Sequence, residues 1–270
     1  MNQSAMIDKR WVGKSFSRAA SGYDRVATLQ RQVGEGLLNR LPESEFIPKS
    51  ILDLGAGTGY CTALLGKRFP NAGLIAVDIA EGMLGTFKQR GGLQEKVMRI
   101  CGDGETLPLR DGSVDMVFSN LAIQWCPDLS KVIGEFFRVL RPSGVLIFST
   151  FGEATLWELR AAWAKADNYT HVNAFASKST IESALTKANF GDISVLNEQC
   201  VIAYSSVNEL LCELKKLGAH NITMNRPRHL TGKGVFRNMM EAYASAMPTG
   251  RINATFEITY GLGSCTWNGV

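Results

Sequence analysis

Three acids and a run of glycines are spaced so that together they can hold a nucleoside. Asp53 precedes Gly55-Ala56-Gly57-Thr58-Gly59, Asp78 follows the turn, and Asp103 stands between Gly102 and Gly104. Asp78 lies about 20 residues beyond the turn, where a carboxylate accepts hydrogen bonds from a ribose diol. Gly55 and Gly57 remove side chains where the backbone turns sharply and a ligand must come close. Asp103, in a glycine-flanked loop with Gly104, can accept from an exocyclic amine such as that of adenine. Ile79 and Met83 follow Asp78 closely enough to flank the same ring, although plain core packing suits Met83 equally well. Asn120 and Gln124 come after a later apolar run, with Trp125 beside them as a wall.

The glycine spacing discriminates between nucleotides. It reads G-x-G-x-G, and Tyr60 stands where G-x-G-x-x-G would have its third glycine. Asp53 is an acid where a pyrophosphate would want none. A carboxylate there suits a ligand bearing an ammonium and a sulfonium, which points to S-adenosylmethionine rather than to a nicotinamide dinucleotide. Metal chemistry has no comparable support. The six cysteines form no C-x-x-C pair, and the three histidines have no ligand spacing with them.

The elements that must position these residues follow from apolar patterning. Ile51 to Leu54 is a strand, Cys61 to Arg68 a helix, and Leu74 to Val77 a second strand ending on Asp78, which is a βαβ unit. Ala80 to Gln89 reads as a short helix, Lys96 to Cys101 as a strand, and Val114 to Ser119 as another. Leu129, Val132, Ile133, Phe136, Phe137 and Leu140 have helical spacing, with Asp128 or Ser130 as cap and Arg141-Pro142-Ser143-Gly144 as stop. Val145 to Phe151 is a fifth strand. Beyond it, Leu156 to Ala166 and Thr180 to Ala188 read as helices and Ile193 to Ala203 as a strand. Val207 to Leu217 and Val235 to Met247 are helical, and Ala254 to Leu262 is a last strand. Alternating strands and helices give an α/β fold, a doubly wound parallel sheet. Ligands of such sheets bind beyond the carboxyl ends of the strands, the edge where all the named residues fall. The roughly 50 residues between the last two strands exceed any hairpin loop and read as an inserted helical cap. Ahead of the sheet, Ala27 to Leu41 has one apolar helical face. Phe16 to Asp24 is less regular and is read either as a helix on the core or as a lid placing Phe16 and Tyr23 over a ligand.

Composition is that of an ordinary globular protein: 270 residues, 45% hydrophobic and 20% charged, with a formal net charge of +4. Such a charge does not point to nucleic acid. No stretch approaches the roughly 20 apolar residues that span a bilayer. The first residues lack a signal-peptide pattern, so a cytoplasmic protein with reduced cysteines is expected.

As a set, ILDLGAGTG, the acid ending the second strand, GDGETLP and SNLAIQWCPDL…FRVLRPSGVLIFST resemble class I S-adenosylmethionine-dependent methyltransferases over Ser50 to Thr150. That resemblance implies a Rossmann-like, seven-stranded, mostly parallel sheet with a reversed last strand. It also implies donor contacts from Asp53, Gly55, Gly57, Asp78 and Asp103. FSRAASGYDRVATLQRQVGEGLL, SNLAIQWC and LKKLGAHN extend the likeness, from Phe16 to Gly261, to the malonyl-acyl-carrier-protein O-methyltransferases of biotin synthesis. The residues after Gly263 match no pattern of that family. The implied organisation is an N-terminal helical lid at 1–44 and a methyltransferase domain at 45–270, its cap at about 204–252. The implied reaction esterifies the free carboxylate of a malonyl thioester carried on acyl carrier protein. Such a carboxylate is already ionised near neutral pH and needs no general base. Phe16 and Tyr23 are then expected to close the site, and Arg18, Arg226 or Arg228 to meet the carboxylate. Cap cations including Lys215, Lys216, Lys233 and Arg237 would steer an acidic carrier. Two alternatives stay open: a methyltransferase for another small acid or a quinone precursor, and a nucleoside-binding regulator without turnover.

Overall fold

A computed structural model describes residues 7–41, 46–87, 97–219, 221, 231–246 and 251–266. Alternation along the strands builds two apolar cores, because successive strand side chains point to opposite faces. In β1 (Ser50–Leu54), Ile51 enters one core while Leu52 and Leu54 enter the other. β4 (Val114–Asn120) repeats the division, with Met116 and Phe118 on the first side and Val117 on the second. The first core is closed by α2 (Thr28–Asn39), α3 (Tyr60–Arg68), the short α4 (Glu81–Thr86), α6 (Trp157–Ala164), α8 (Val207–Lys216) and α9 (Lys233–Ser245). The second is closed by α5 (Leu129–Val139) and α7 (Lys178–Lys187).

The remaining strands are β2 (Gly73–Asp78), β3 (Val97–Cys101), β5 (Leu140–Phe151), β6 (Phe190–Tyr204) and β7 (Ile252–Cys265). Their order in one seven-stranded sheet is β3-β2-β1-β4-β5-β7-β6. β7 runs antiparallel to both β5 and β6, and the other pairings are parallel. The chain winds outward from β1 to β3 and returns to place β4 on the other side of β1. That reversal opens a crevice at the carboxyl ends of β1 and β4.

Two local outcomes differ from the sequence expectations, after one that the sequence leaves open. The stretch read either as a helix on the core or as a lid belongs to a continuous helix, α1 (Lys9–Tyr23), with the Asp8 side chain accepting from the Arg10 amide at 3.0 Å. Val12, Phe16, Ala20 and Tyr23 do have helical spacing, but Gly13, Gly22 and three serines dilute it. Arg141 to Gly144 does not stop α5. The helix ends at Val139, and Leu140 already pairs with Val114 before a register shift in β5. Cysteine 265 and Ser264, in the tail that matched no family pattern, complete β7 opposite Phe190 and Gly191. Gln89, Lys96 and Met247, expected as element ends, lie outside the described residues, as do Arg226 and Arg228.

Candidate active site

At the carboxyl edge of the sheet lies a cavity of about 720 Å³, open mouth included. The turn after β1 forms its floor. Gly55 and Gly57 have φ of +70° and +56°, in the left-handed region that glycine enters at no steric cost. A Cβ on Gly55 would lie 2.1 Å from that of Ala122, so the turn packs directly on the loop after β4. A Cβ on Gly57 would meet only the Gly55 carbonyl, at 3.9 Å, which leaves that backbone bare. The same turn is pinned to Asp78. The Gly57 amide donates to Asp78 Oδ2 at 2.8 Å, and the Ala80 amide donates to Oδ1 at 2.7 Å. Burial raises the pKa of Asp78, opposed by those two bonds.

Asp103 stands elsewhere on the same wall. Its Oδ1 accepts from the Glu105 amide at 3.0 Å and its Oδ2 from Lys9 Nζ at 2.7 Å. Lys9 also reaches Glu105 Oε2 at 2.6 Å, while Glu105 Oε1 accepts from the Asp128 amide at 3.0 Å. A single buried glutamate thus ties the first turn of α1 to the capped start of α5. Lys9 escaped the sequence reading because its partners lie more than ninety positions away (94 to Asp103). The one local signal is a lysine just behind a capping acid.

The far side of the cavity is α1. Phe16 meets Trp125 edge-on with ring centroids 5.2 Å apart, and Tyr23 lies 6.5 Å from Phe16. Both pack on Ala80 and Met83. Burial first, then the nearby Asp78, lifts the Tyr23 hydroxyl far above its ordinary range. Tyr23 therefore keeps its proton at neutral pH.

Among the residues singled out from sequence, Gly55, Gly57, Asp78, Ile79 and Met83 line this cavity together with Asp103, Gly104, Asn120, Phe16 and Tyr23. Asn120 does so with its carboxamide already engaged, accepting from Ser149 Oγ at 2.8 Å and donating to the Gln30 carbonyl at 2.9 Å. Gln124 and Asp53, also singled out from sequence, stand outside this cavity. Gln124 lines no described cavity: its Nε2 donates to the Leu121 carbonyl at 2.6 Å and its Oε1 accepts from Thr150 at 3.2 Å. Asp53 does not face the main cavity. With Ala56 it lines a smaller one of about 440 Å³ behind the turn, which shares Tyr23, Gly55, Gly57 and Asn120 with the first. Alternation places Asp53 on the side of Ile51, beneath α3, where its Oδ2 accepts from Thr62 Oγ1 at 2.5 Å. Burial pushes its pKa up to about 7 despite the Thr62 bond.

A third and larger cavity, about 1270 Å³, lies among α2, α6, α8 and the loop before α7, with Trp125 as a wall common to it and the first. It went unnoticed in the sequence. Arg18 is exposed and lines none of these cavities.

The donor set suits S-adenosylmethionine. Two acids, Asp78 and Asp103, flank an apolar slot over a bare glycine backbone, which matches a ribose diol, an adenine amine and a cationic sulfur. The described residues contain no grouping of histidine, cysteine and acids able to hold a metal ion, and no helix long and apolar enough to cross a membrane.

Comparison with known proteins agrees with this geometry. Residues 52–148 match the family described as "Methyltransferase domain". A malonyl-[acyl-carrier protein] O-methyltransferase of Methylococcus capsulatus is 49% identical over 93% of this chain and 92% of its own. A biotin biosynthesis bifunctional protein, BioHC, of Cellvibrio japonicus is 39% identical over 94% of this chain and 50% of its own. Among solved structures, a putative methyltransferase of Bacillus halodurans shares the fold with a TM-score of 0.60, at 17% identity, covering 87% of this chain and 99% of that one. The chain belongs to the malonyl-[acyl-carrier protein] O-methyltransferases, and is accordingly an enzyme whose methyl donor is S-adenosylmethionine.

Proposed function

We propose that the enzyme methylates the free carboxylate of a malonyl thioester on acyl carrier protein, an early step of biotin synthesis, in the cytoplasm. The observation that carries this reading is the identity of 49% along nearly the whole length of a relative named for that reaction.

Bound in the first cavity, S-adenosylmethionine supplies a methyl group on a sulfonium: the carboxylate oxygen forms the new C–O bond while the C–S electron pair returns to sulfur. No proton moves, so no base is required of the chain. Its residues position and exclude. Asp78 would hold the ribose diol through lone pairs that its two backbone bonds leave over. Asp103 would take the adenine amine beside Lys9, and Ile79 and Met83 would flank the ring. Asp53 and the backbone of Ala56 and Gly57 would hold the amino-acid end behind the turn. Tyr23, protonated, would donate to the acceptor carboxylate, while Phe16 and Trp125 shut out water. Alignment of this kind is worth up to about 7–11 kcal/mol in model reactions, and a dry site strengthens it by stripping the carboxylate of hydration. Exposed Lys215, Lys216 and Lys233 give the cap a positive face toward an acidic carrier.

A substrate panel tests the reading. Malonyl-carrier protein is expected to show the highest kcat/KM, well above free malonate, other diacids and quinone precursors. Preference for a quinone precursor or for a free small acid would overturn the assignment of the acceptor.

A further inference from the structure

The third cavity is walled mostly by apolar groups, yet it contains polar atoms with unmet demands. Asn173 is 7% exposed, lines the cavity, and its Oδ1 has no hydrogen-bond partner among the described residues. Gln30 lines it from α2, and its buried Oε1 is unpartnered in the same sense. Buried polar atoms are rarely left so, because each costs about the desolvation of the group. Both side chains line the chamber, and a turn of each amide would bring its unmet oxygen to an N–H donor of a ligand there.

The chamber also has the right neighbours. Trp125 separates it from the donor cavity. Gln30 lines both the chamber and the smaller cavity behind the glycine turn. Exposed Lys215 lines the chamber on α8. Trp163 forms a flat wall on which His171 stacks at 3.6 Å, the imidazole fixed by Asp167 at 2.9 Å. A mostly apolar ligand with internal amide groups fits such a chamber.

We infer that this chamber binds the amide-bearing arm through which the thioester is presented, with Asn173 and Gln30 accepting hydrogen bonds from its secondary amide N–H groups. The inference rests on the thioester acceptor proposed above and adds to it a subsite for the part of the acceptor remote from the reacting carboxylate. Binding energy from that part positions the carboxylate without touching it.

The test compares two acceptors, S-malonyl pantetheine, which has two secondary amides, and an analogue of equal length with both amides replaced by esters. KM is measured for wild type, Asn173→Leu and Gln30→Met, together with urea melts. Wild type is expected to favour the amide acceptor about 10-fold or more in KM, and each substitution to reduce that ratio about 5- to 10-fold, as loss of one hydrogen bond does. Asn173→Leu is expected to be at least as resistant to urea as wild type, since it replaces an unpaired buried amide with an apolar group of similar size. A merely structural Asn173 predicts the reverse, a destabilised variant with an unchanged ratio. Equal KM values for the two acceptors in wild type, or a ratio untouched by both substitutions, would overturn the inference and leave the reaction standing. Failure to methylate either acceptor, by protein that binds S-adenosylhomocysteine, would overturn the thioester reading and the inference with it.

Discussion

The donor cavity and the acceptor chamber of this enzyme are built on opposite terms. The donor cavity sits on strand ends, and its polar groups are spoken for: Asp78 by two backbone amides, Asn120 by Ser149 and Gln30, Asp103 by Lys9 and Glu105. The chamber is assembled mainly from three helices and a loop, with Phe151 of β5 and Phe256 of β7 in its wall, and two side-chain amides that line it have oxygens unmet among the described residues. A site that must grip one invariant molecule can be preorganised by the sheet, because strand ends are the most rigid places to mount donors and acceptors. A site that must admit a tethered, flexible arm is instead made of helix faces, with its hydrogen bonds completed by the ligand.

The largest effect that can separate the two regions comes from Trp163. Buried to 7% exposure between His171 and Phe236, it is a wall of the chamber and part of the first core. Trp163→Ala is expected to cost about 3–5 kcal/mol in urea unfolding. It should raise the acceptor KM while leaving affinity for S-adenosylhomocysteine unchanged in the folded protein. A matching loss of affinity for S-adenosylhomocysteine would mean that the two regions are one cooperative site.

Asp78→Ala is the complementary change. Loss of a charged acceptor should weaken S-adenosylhomocysteine by about 1–3 kcal/mol in calorimetry, with little effect on acceptor KM at saturating donor. Unchanged affinity would remove Asp78 from the donor site.

Asp53 offers a change of slope rather than of level. Its folded pKa, about 7, lies above the usual carboxylate value of about 4. The folded protein therefore holds this proton more tightly than the unfolded chain. The stabilisation is complete below about pH 4 and is lost as pH rises through about 7. Asp53→Asn should flatten the fall in urea midpoint between about pH 4 and pH 7. Parallel profiles for variant and wild type would show that Asp53 does not titrate in this window.

The same contrast explains how much could be read from residues alone. The donor side was accessible because its signals are local: Gly55, Gly57 and Asp78 fall within one βαβ unit, and Asp103 closely follows the next strand. The reversed β7 came from family likeness, not from periodicity, because strand direction leaves no trace in Ala254 to Leu262. Asp53 is equally local, and counting alternation from Ile51 adds that it lies beneath α3, behind the turn rather than in the main cavity. Lys9, Gln30 and Asn173 left no such trace. Each acts across a distance in sequence that only packing closes, as Lys9 does with Asp103, and an asparagine in a loop before a helix carries no pattern of its own.

The most direct measurement follows the methyl group itself. Protein incubated with methyl-labelled S-adenosylmethionine and malonyl-carrier protein should place one label per malonyl group, in an ester cleaved by mild base and located by mass spectrometry on the free carboxyl end. Label that survives base, or that appears on protein or on the thioester's methylene carbon instead, would contradict the account.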